Sequence, residues 1–129
     1  MTILSLFKQP KPKKSRRAYL IKALDDLVSK QVRERDGYKC RKCGRTGKVF
    51  HHHIHTKIRL ATRWILENGV TVCFWCHRWA HSAPEEFRQW VLTWMTPDAY
   101  DQLYLWSQTR SGYHDIDLEW LLKDLRRAA

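Results

Sequence analysis

The sequence predicts a small domain of mixed α+β class, and three observations lead to this prediction. Two short runs, at residues 49–54 and 70–72, have the length of strands, and the second run is entirely β-branched. Longer stretches on either side repeat apolar side chains at the three- and four-residue spacing of amphipathic helices. Two matched cysteine pairs lie beside the strand-like runs, and a chain of only 129 residues gains stability from such a staple.

The segment before the first predicted helix is interpreted as a basic arm over residues 1–17. Residues 8–17 hold six basic residues and two prolines but no acid, so this segment cannot fold alone. Two interpretations stay open, a phosphate-binding tail and a solubilising terminus. The basic residues that would contact phosphate are Lys11, Lys13, Lys14, Arg16 and Arg17.

The first helix is predicted over residues 18–36. It ends at Asp36-Gly37, where glycine occupies the position that commonly follows a helix. An apolar stripe runs along it at helical spacing, which we interpret as core packing. The stripe consists of Ile21, Leu24, Val28 and Val32.

The central segment predicts a tight turn, two strands and a short helix. Residues 38–47 contain one cysteine pair and two glycines, which is typical of a knuckle. Asn68-Gly69 is a turn signal before the second strand, so a long loop at residues 55–69 joins the strands. Long loops in small domains are usually functional. A short helix is expected over residues 76–81.

Three further helices are predicted in an extension at residues 83–129. The first begins with Ser82 and Glu85 as a capping box, the second has Pro97 at its first position, and the last is capped by Asp117. The first of these helices has an apolar face made of Phe87, Trp90, Val91, Trp94 and Met95. Such faces either complete the core or bind a protein partner, and the oligomeric state stays open.

The four cysteines form two pairs, Cys40-x-x-Cys43 and Cys73-x-x-Cys76. Each pair offers two thiolates within one turn, which suits half of a tetrahedral zinc site. Soft thiolate ligands select zinc, and a site of four cysteines has no open position, so the expected ion is structural. Redox-active or disulfide pairs and an iron–sulfur cluster are the alternatives.

Six of the seven histidines lie between residues 51 and 81. His77 and His81 are four residues apart and share one face of the expected helix, so both can reach one metal. On a strand neighbouring residues point to opposite sides, so one of His52 and His53 can face a metal while the other faces substrate. His51 and His55 are interpreted as surface residues.

Lys and Arg number 24 against 13 Asp and Glu, which gives a formal net charge of +11. Such an excess is typical of proteins that bind a polyanion, and nucleic acid is the commonest one. The sequence has no run of about 18 apolar residues, so no membrane span is expected. Reduced cysteines in metal-ligand spacing lead us to expect a cytoplasmic protein.

Together these residues resemble the HNH endonucleases, whose core is called ββα-metal. The resemblance covers residues 33–81, a little over a third of the chain, and is most similar to phage-encoded members with a cysteine zinc site. It implies an HNH nuclease core with its zinc site at residues 18–82, in which the ββα part follows the first helix, and a helical extension at residues 83–129. The matching motifs, in order, are Arg33-Glu34-Arg35-Asp36-Gly37-Tyr38-Lys39-Cys40, His52-His53-Ile54, Glu67-Asn68-Gly69, Cys73-Phe74-Trp75-Cys76-His77 and His81.

The resemblance also implies roles for single residues. His53 is the general base, and His52, the residue before it, is a metal ligand. Asn68 braces the long loop and helps to orient the base. His77 is a metal ligand, and His81 resembles an extra ligand in bacterial DNase toxins, with capping of helix carbonyls as its alternative. A register in which His51 and His52 are ligand and base is the other alternative.

The resulting expectation is a DNA endonuclease that uses one divalent ion, Mg, Mn, Ni or Zn, and gives 5′-phosphate and 3′-hydroxyl ends. Lys57, Arg59 and Arg63 in the long loop are candidate phosphate contacts, with solvated loop cations as the alternative. One rival function is a zinc-knuckle module that binds nucleic acid without cleaving it. The other is an assembly protein whose C-terminal helices bind a phage packaging or recombination partner in the host cytoplasm.

Overall fold

The computed structural model describes residues 15–109 and 113–128. It has a mixed α+β fold, as predicted, in which a two-stranded antiparallel sheet is surrounded by helices. No helix in these two ranges has the length and apolar character that crossing a membrane requires. In chain order the elements are α1 (Arg16–Arg35), β1 (Val49–His53), α2 (Leu60–Arg63), a 3₁₀ turn (Leu66–Asn68), β2 (Gly69–Cys73), α3 (Phe74–Ser82), α4 (Pro84–Val91), α5 (Pro97–Ser107) and α6 (Asp115–Ala128).

The first helix begins two residues before its predicted start. The Ser15 side chain accepts a hydrogen bond from the backbone N–H of Ala18 (3.1 Å), which satisfies one free donor of the first turn. Arg16 and Arg17 are therefore helical and not part of a flexible arm, which corrects that prediction. Their guanidinium groups pair with Glu119 and Asp115 on α6.

Helix α1 packs against α6 and forms one part of the core. Its buried positions are four residues apart and start at Leu20, whereas the predicted stripe started at Ile21, which is only partly buried. From α6, Leu118 and Leu122 complete this cluster. The last helix therefore contributes to the core. The fully buried members are Leu24, Val28, Val32 and Leu118.

The sheet divides the histidines between its two faces. The register pairs Val49 with Cys73 at one end and His53 with Gly69 at the other. Because strand side chains alternate, His52 points to the opposite face from His51 and His53. A Cβ atom at position 69 would collide with the His51 ring, so only glycine fits beside it. The register thus fixes which imidazole faces which helix.

Two predicted helix caps are wrong. Ser82 is the last residue of α3, and its hydroxyl donates to the Trp79 carbonyl (3.2 Å), so it cannot form a capping box with Glu85. Asp117 lies inside the first turn of α6, where it accepts a hydrogen bond from the backbone N–H of His114. In contrast, the predicted start of α5 at Pro97 is confirmed.

Because α6 packs on α1, a substitution at a buried position of α6 should destabilise the chain more than one at an exposed position of the same helix. Leu118→Ala should lower the free energy of unfolding by about 2–5 kcal/mol, because it leaves a cavity at a fully buried site. Ile116→Ala is the matched control, since that side chain is 57% exposed. Urea denaturation followed by circular dichroism measures both. Equal effects of the two substitutions would contradict this packing.

Candidate functional site

The four cysteines converge at the junction of the knuckle, β2 and α3. The knuckle after α1 is closed by a bridge between Lys39 and Thr46, and Gly44 takes a positive φ of 78° to complete the turn. The four sulfur atoms all lie within 4.8 Å of one another. A tetrahedral zinc ion with Zn–S distances of about 2.3 Å would hold its sulfurs about 3.8 Å apart. The Sγ atoms of Cys43 and Cys73 are separated by 3.6 Å, which fits this spacing.

The electrostatics of the cysteine cluster favour a bound cation. Burial opposes ionisation of the Cys40 thiol, but the backbone N–H groups of Cys43, Cys73 and Lys42 outweigh burial and lower its pKa to about 7. Burial and the neighbouring sulfurs raise the pKa of the Cys76 thiol far above its ordinary value. Four close thiols cannot all ionise without a compensating positive charge. The cluster can therefore hold a metal, and zinc suits its soft ligands.

A second cluster consists of three imidazoles, one from β1 and two from α3. His52, His77 and His81 each offer a ring nitrogen, and these atoms lie within 4.8 Å of one another. The Nδ1 atoms of His52 and His77 are 3.2 Å apart. A tetrahedral ion with Zn–N distances of about 2.05 Å would hold its nitrogens about 3.3 Å apart, so the spacing fits a metal.

The surroundings of His52 and His77 favour the neutral form of both imidazoles. Burial, followed by repulsion from His77 and His81, lowers the pKa of His52 to about 3. Burial also lowers the pKa of His77, with a further contribution from His81. A neutral imidazole keeps a lone pair for a metal. The lowered pKa values of His52 and His77 thus favour the protonation state that metal binding requires.

His53 lies on the other face of β1 and has a fixed orientation. Its Nε2 donates to the carbonyl oxygen of Arg63 (3.1 Å), because a carbonyl can only accept. The Nδ1 atom then carries the lone pair and can accept a proton. Burial lowers the pKa of His53, and the bond to the Arg63 carbonyl opposes this effect.

The carbonyl that orients His53 is itself held by α1. The Arg63 guanidinium donates to both carboxylate oxygens of Asp25, at 2.9 and 2.7 Å. The indole of Trp64 donates to the same carboxylate at 2.8 Å. Sequence analysis did not identify Asp25, because no local pattern relates it to a partner 38 residues away. Two parallel hydrogen bonds make this a well-defined contact.

Asn68 closes the long loop from a completely buried position. Its side-chain oxygen accepts from the backbone N–H of His55 (2.8 Å), and its amide donates to the carbonyls of His55 and Thr62 (both 3.1 Å). These bonds brace the loop, whereas an effect of Asn68 on the base stays a prediction. The loop also contains α2 and the 3₁₀ turn.

His51 and His55 are not surface residues, which corrects the prediction. His55 is 8% exposed, and its Nε2 donates to the Tyr100 carbonyl of α5 (3.1 Å). His51 is partly buried and bonded through Nδ1 to Ser29 of α1 (3.0 Å). Their neighbours come from α1 and α5, so these contacts had no signal in the local sequence.

The predicted phosphate contacts differ in their surroundings. Lys57 and Arg59 are exposed in the long loop, and Lys57 lines a cleft of about 520 Å³ beside His52 and His53. The head group of Arg63 is occupied by Asp25, and a phosphate contact there stays a prediction. Arg16 and Arg17 pair with α6 as described above. Lys11, Lys13 and Lys14 lie outside the described residues.

Comparison of the chain with protein-family models, with curated proteins and with solved structures found no match. Function is therefore inferred from the side chains of the two clusters and the cleft. Both clusters share α3, since Cys76 and His77 are neighbours in the chain. Any proposed role must account for this arrangement.

The cysteine cluster predicts that the purified chain binds one zinc ion tightly. Cys43→Ser should lose that ion and lower the melting temperature, because metal binding energy contributes directly to folding. Mass spectrometry for metals and thermal melting by circular dichroism measure the two effects. His114→Ala, at an exposed residue away from both clusters, is the control and should retain zinc. Full zinc content in Cys43→Ser would contradict the assignment.

Proposed function

We propose that the chain is a metal-dependent DNA endonuclease of the HNH type. The observation that carries this proposal is the imidazole cluster of His52, His77 and His81, with a fourth imidazole oriented on the next residue of the same strand. Two antiparallel strands followed directly by α3 have the element order expected of a ββα-metal core. The cysteine cluster supports the proposal, because it holds the strand and the helix together.

His52, His77 and His81 would hold one divalent ion. When bound, the ion would neutralise charge on the scissile phosphate and on the leaving oxygen. A site of three imidazoles suits zinc or nickel more than the hard ions magnesium and manganese. His52 is 7% exposed, so the chain would shield from solvent the side of the ion that contacts His52.

His53 acts as the general base in this mechanism. Burial keeps its imidazole neutral at neutral pH, and the bond from Nε2 to the Arg63 carbonyl leaves Nδ1 free. Nδ1 takes a proton from water as the water oxygen bonds to phosphorus. The bond from phosphorus to the 3′ oxygen breaks, and that oxygen takes a proton from solvent water, which leaves 5′-phosphate and 3′-hydroxyl ends. General-base help of this kind typically contributes about 10²- to 10⁴-fold.

The charge of the chain supports DNA as the substrate. The formal net charge is +11, and exposed Lys57 lines the cleft that contains the imidazoles. A polyanion is attracted to such a surface, and its binding should weaken steeply with salt. A non-cleaving nucleic-acid-binding module is the second candidate, favoured by the exposed basic residues of the knuckle. That candidate gives the imidazole cluster no role.

Replacing the general base should slow cleavage strongly without removing the metal. We expect His53→Ala to cut supercoiled plasmid about 10²- to 10⁴-fold more slowly than the unmodified chain. Agarose gels with magnesium, manganese, nickel or zinc added measure the rate. His114→Ala is the control for loss of one histidine. Cleavage by His53→Ala at the original rate would refute the assignment of the base.

The contact between Asp25 and Arg63 predicts a positioning effect on the base. Asp25→Asn should lower kcat and leave KM for DNA nearly unchanged, because it weakens the hold on the Arg63 carbonyl without touching the cleft. Asp25→Glu, which keeps the carboxylate, should recover part of the rate. Steady-state cleavage of a labelled oligonucleotide duplex separates kcat from KM. An equal loss in both variants would indicate a purely structural role.

A further inference from the structure

Two large aromatic side chains are exposed beside the cysteine cluster. Phe74 is 50% exposed and Trp75 is 60% exposed, although both lie between Cys73 and Cys76 in the first turn of α3. Their ring centroids are 5.3 Å apart and the rings are nearly perpendicular. Because these rings lie on a helical turn and not on a loop, their orientation is fixed, and they present two π-faces to solvent.

Basic side chains lie near the aromatic rings of this part of α3. The Arg78 guanidinium lies 5.8 Å from the centre of the Phe74 ring. The Lys42 ammonium lies 4.4 Å from the centre of the Trp79 ring, and Trp79 is one helical turn after Trp75 on the same face of α3. The rings and these cations therefore form one surface, which we call the knuckle face: Lys42, Phe74, Trp75 and Arg78.

The knuckle continues this positive surface. Residues 39–48, which are most of the knuckle and the residue after it, hold five basic residues and no acid. All five are exposed, and none forms an ion pair with another side chain in the described ranges. They are Lys39, Arg41, Lys42, Arg45 and Lys48. Unpaired cations next to exposed aromatic rings match the phosphates and bases of a nucleic-acid strand.

The knuckle face also borders the imidazole cluster. Phe74 precedes His77 by three residues and Arg78 by four, so all three lie on adjacent parts of one helix surface. On the sheet side, the ring of Phe50 is 6.1 Å from that of His77. A strand bound along the knuckle face would thus lead directly to the proposed cleavage site.

We propose that the knuckle face binds unpaired nucleotides, so that the substrate is DNA with a single-stranded segment. Bases of an intact duplex are stacked on one another and cannot stack on Phe74 or Trp75, whereas unpaired bases offer a free face. Aromatic rings and arginine also occur at protein interfaces, but lysine is depleted there, and the exposed, unpaired cations that adjoin these rings favour a polyanion. The identity of the polyanion as DNA rests on the proposed function, but binding to the knuckle face does not require cleavage.

Binding to two DNA forms tests this inference. Fluorescence anisotropy of a labelled oligothymidylate and of a blunt hairpin duplex is measured with the zinc-loaded chain in a His53→Ala background, which prevents cleavage. Phe74→Ala combined with Trp75→Ala should weaken oligothymidylate binding by roughly ten-fold or more and leave hairpin binding nearly unchanged. Trp120→Ala, at a 56% exposed tryptophan on α6, is the control and should change neither.

A second pair of substitutions separates stacking from apolar contact and from misfolding. Phe74→Leu combined with Trp75→Leu keeps the apolar surface but removes both ring faces, and we expect the same selective loss. Arg78→Gln should weaken binding and reduce its dependence on salt. Zinc content equal to that of the parent chain shows that each variant is folded.

Three results would overturn the inference. They are unchanged oligothymidylate affinity in both double variants, equal losses on the oligonucleotide and the hairpin, and tighter binding of oligouridylate than of oligothymidylate. If one of these results is found while the unmodified chain still cleaves plasmid, the inference fails and the proposed function stands. Selective binding through Phe74 and Trp75 without any cleavage would refute the nuclease proposal and leave the inference about the knuckle face in place.

Discussion

The position of α3 depends on the four-cysteine cluster, because Cys73 ends β2 and Cys76 lies in the first turn of the helix. The knuckle cysteines approach from the end of α1, so one cluster joins three separate parts of the chain. His77 follows Cys76 directly, and His81 lies one turn later. The thiolates therefore determine where these imidazoles stand, and the sheet register adds His52 from the other side.

Alternation along β1 divides neighbouring histidines into different chemical settings. His52 faces α3 and joins the imidazole cluster, whereas His53 faces the long loop and donates to a backbone carbonyl. That carbonyl is held through Arg63 by Asp25 on α1, and the loop is closed by buried Asn68. Two adjacent residues of identical type thus have separate surroundings, because neighbouring side chains of a strand point to opposite faces of the sheet.

Local patterns predicted the parts of the structure that local physics determines. Helical spacing predicted α1, and Pro97 marked the start of α5. Matched cysteine spacing predicted the cysteine cluster, and the four-residue separation of His77 and His81 placed both on one face. Contacts between distant segments were missed. Arg16 and Arg17 were predicted in a flexible arm because their acidic partners on α6 are about a hundred residues away.

The same limit applies inside the candidate site. Nothing near Asp25 in the sequence indicates Arg63 as its partner, and nothing near His55 indicates that α5 buries it. Ser82 shows a different limit, since a capping motif was present but α3 extends through it. At Ser82, the packing that continues α3 outweighs the local preference for the start of a new helix.

The adjacency of Cys76 and His77 fixes the rotation of the imidazole cluster relative to the cysteine cluster around the axis of α3. Successive residues of an α-helix are turned by about 100° around its axis. A single inserted residue between these two would leave the thiolates in place but swing both imidazoles of α3 away from His52. A change in the length of α3 at this point would therefore dismantle the imidazole cluster while sparing the thiolates.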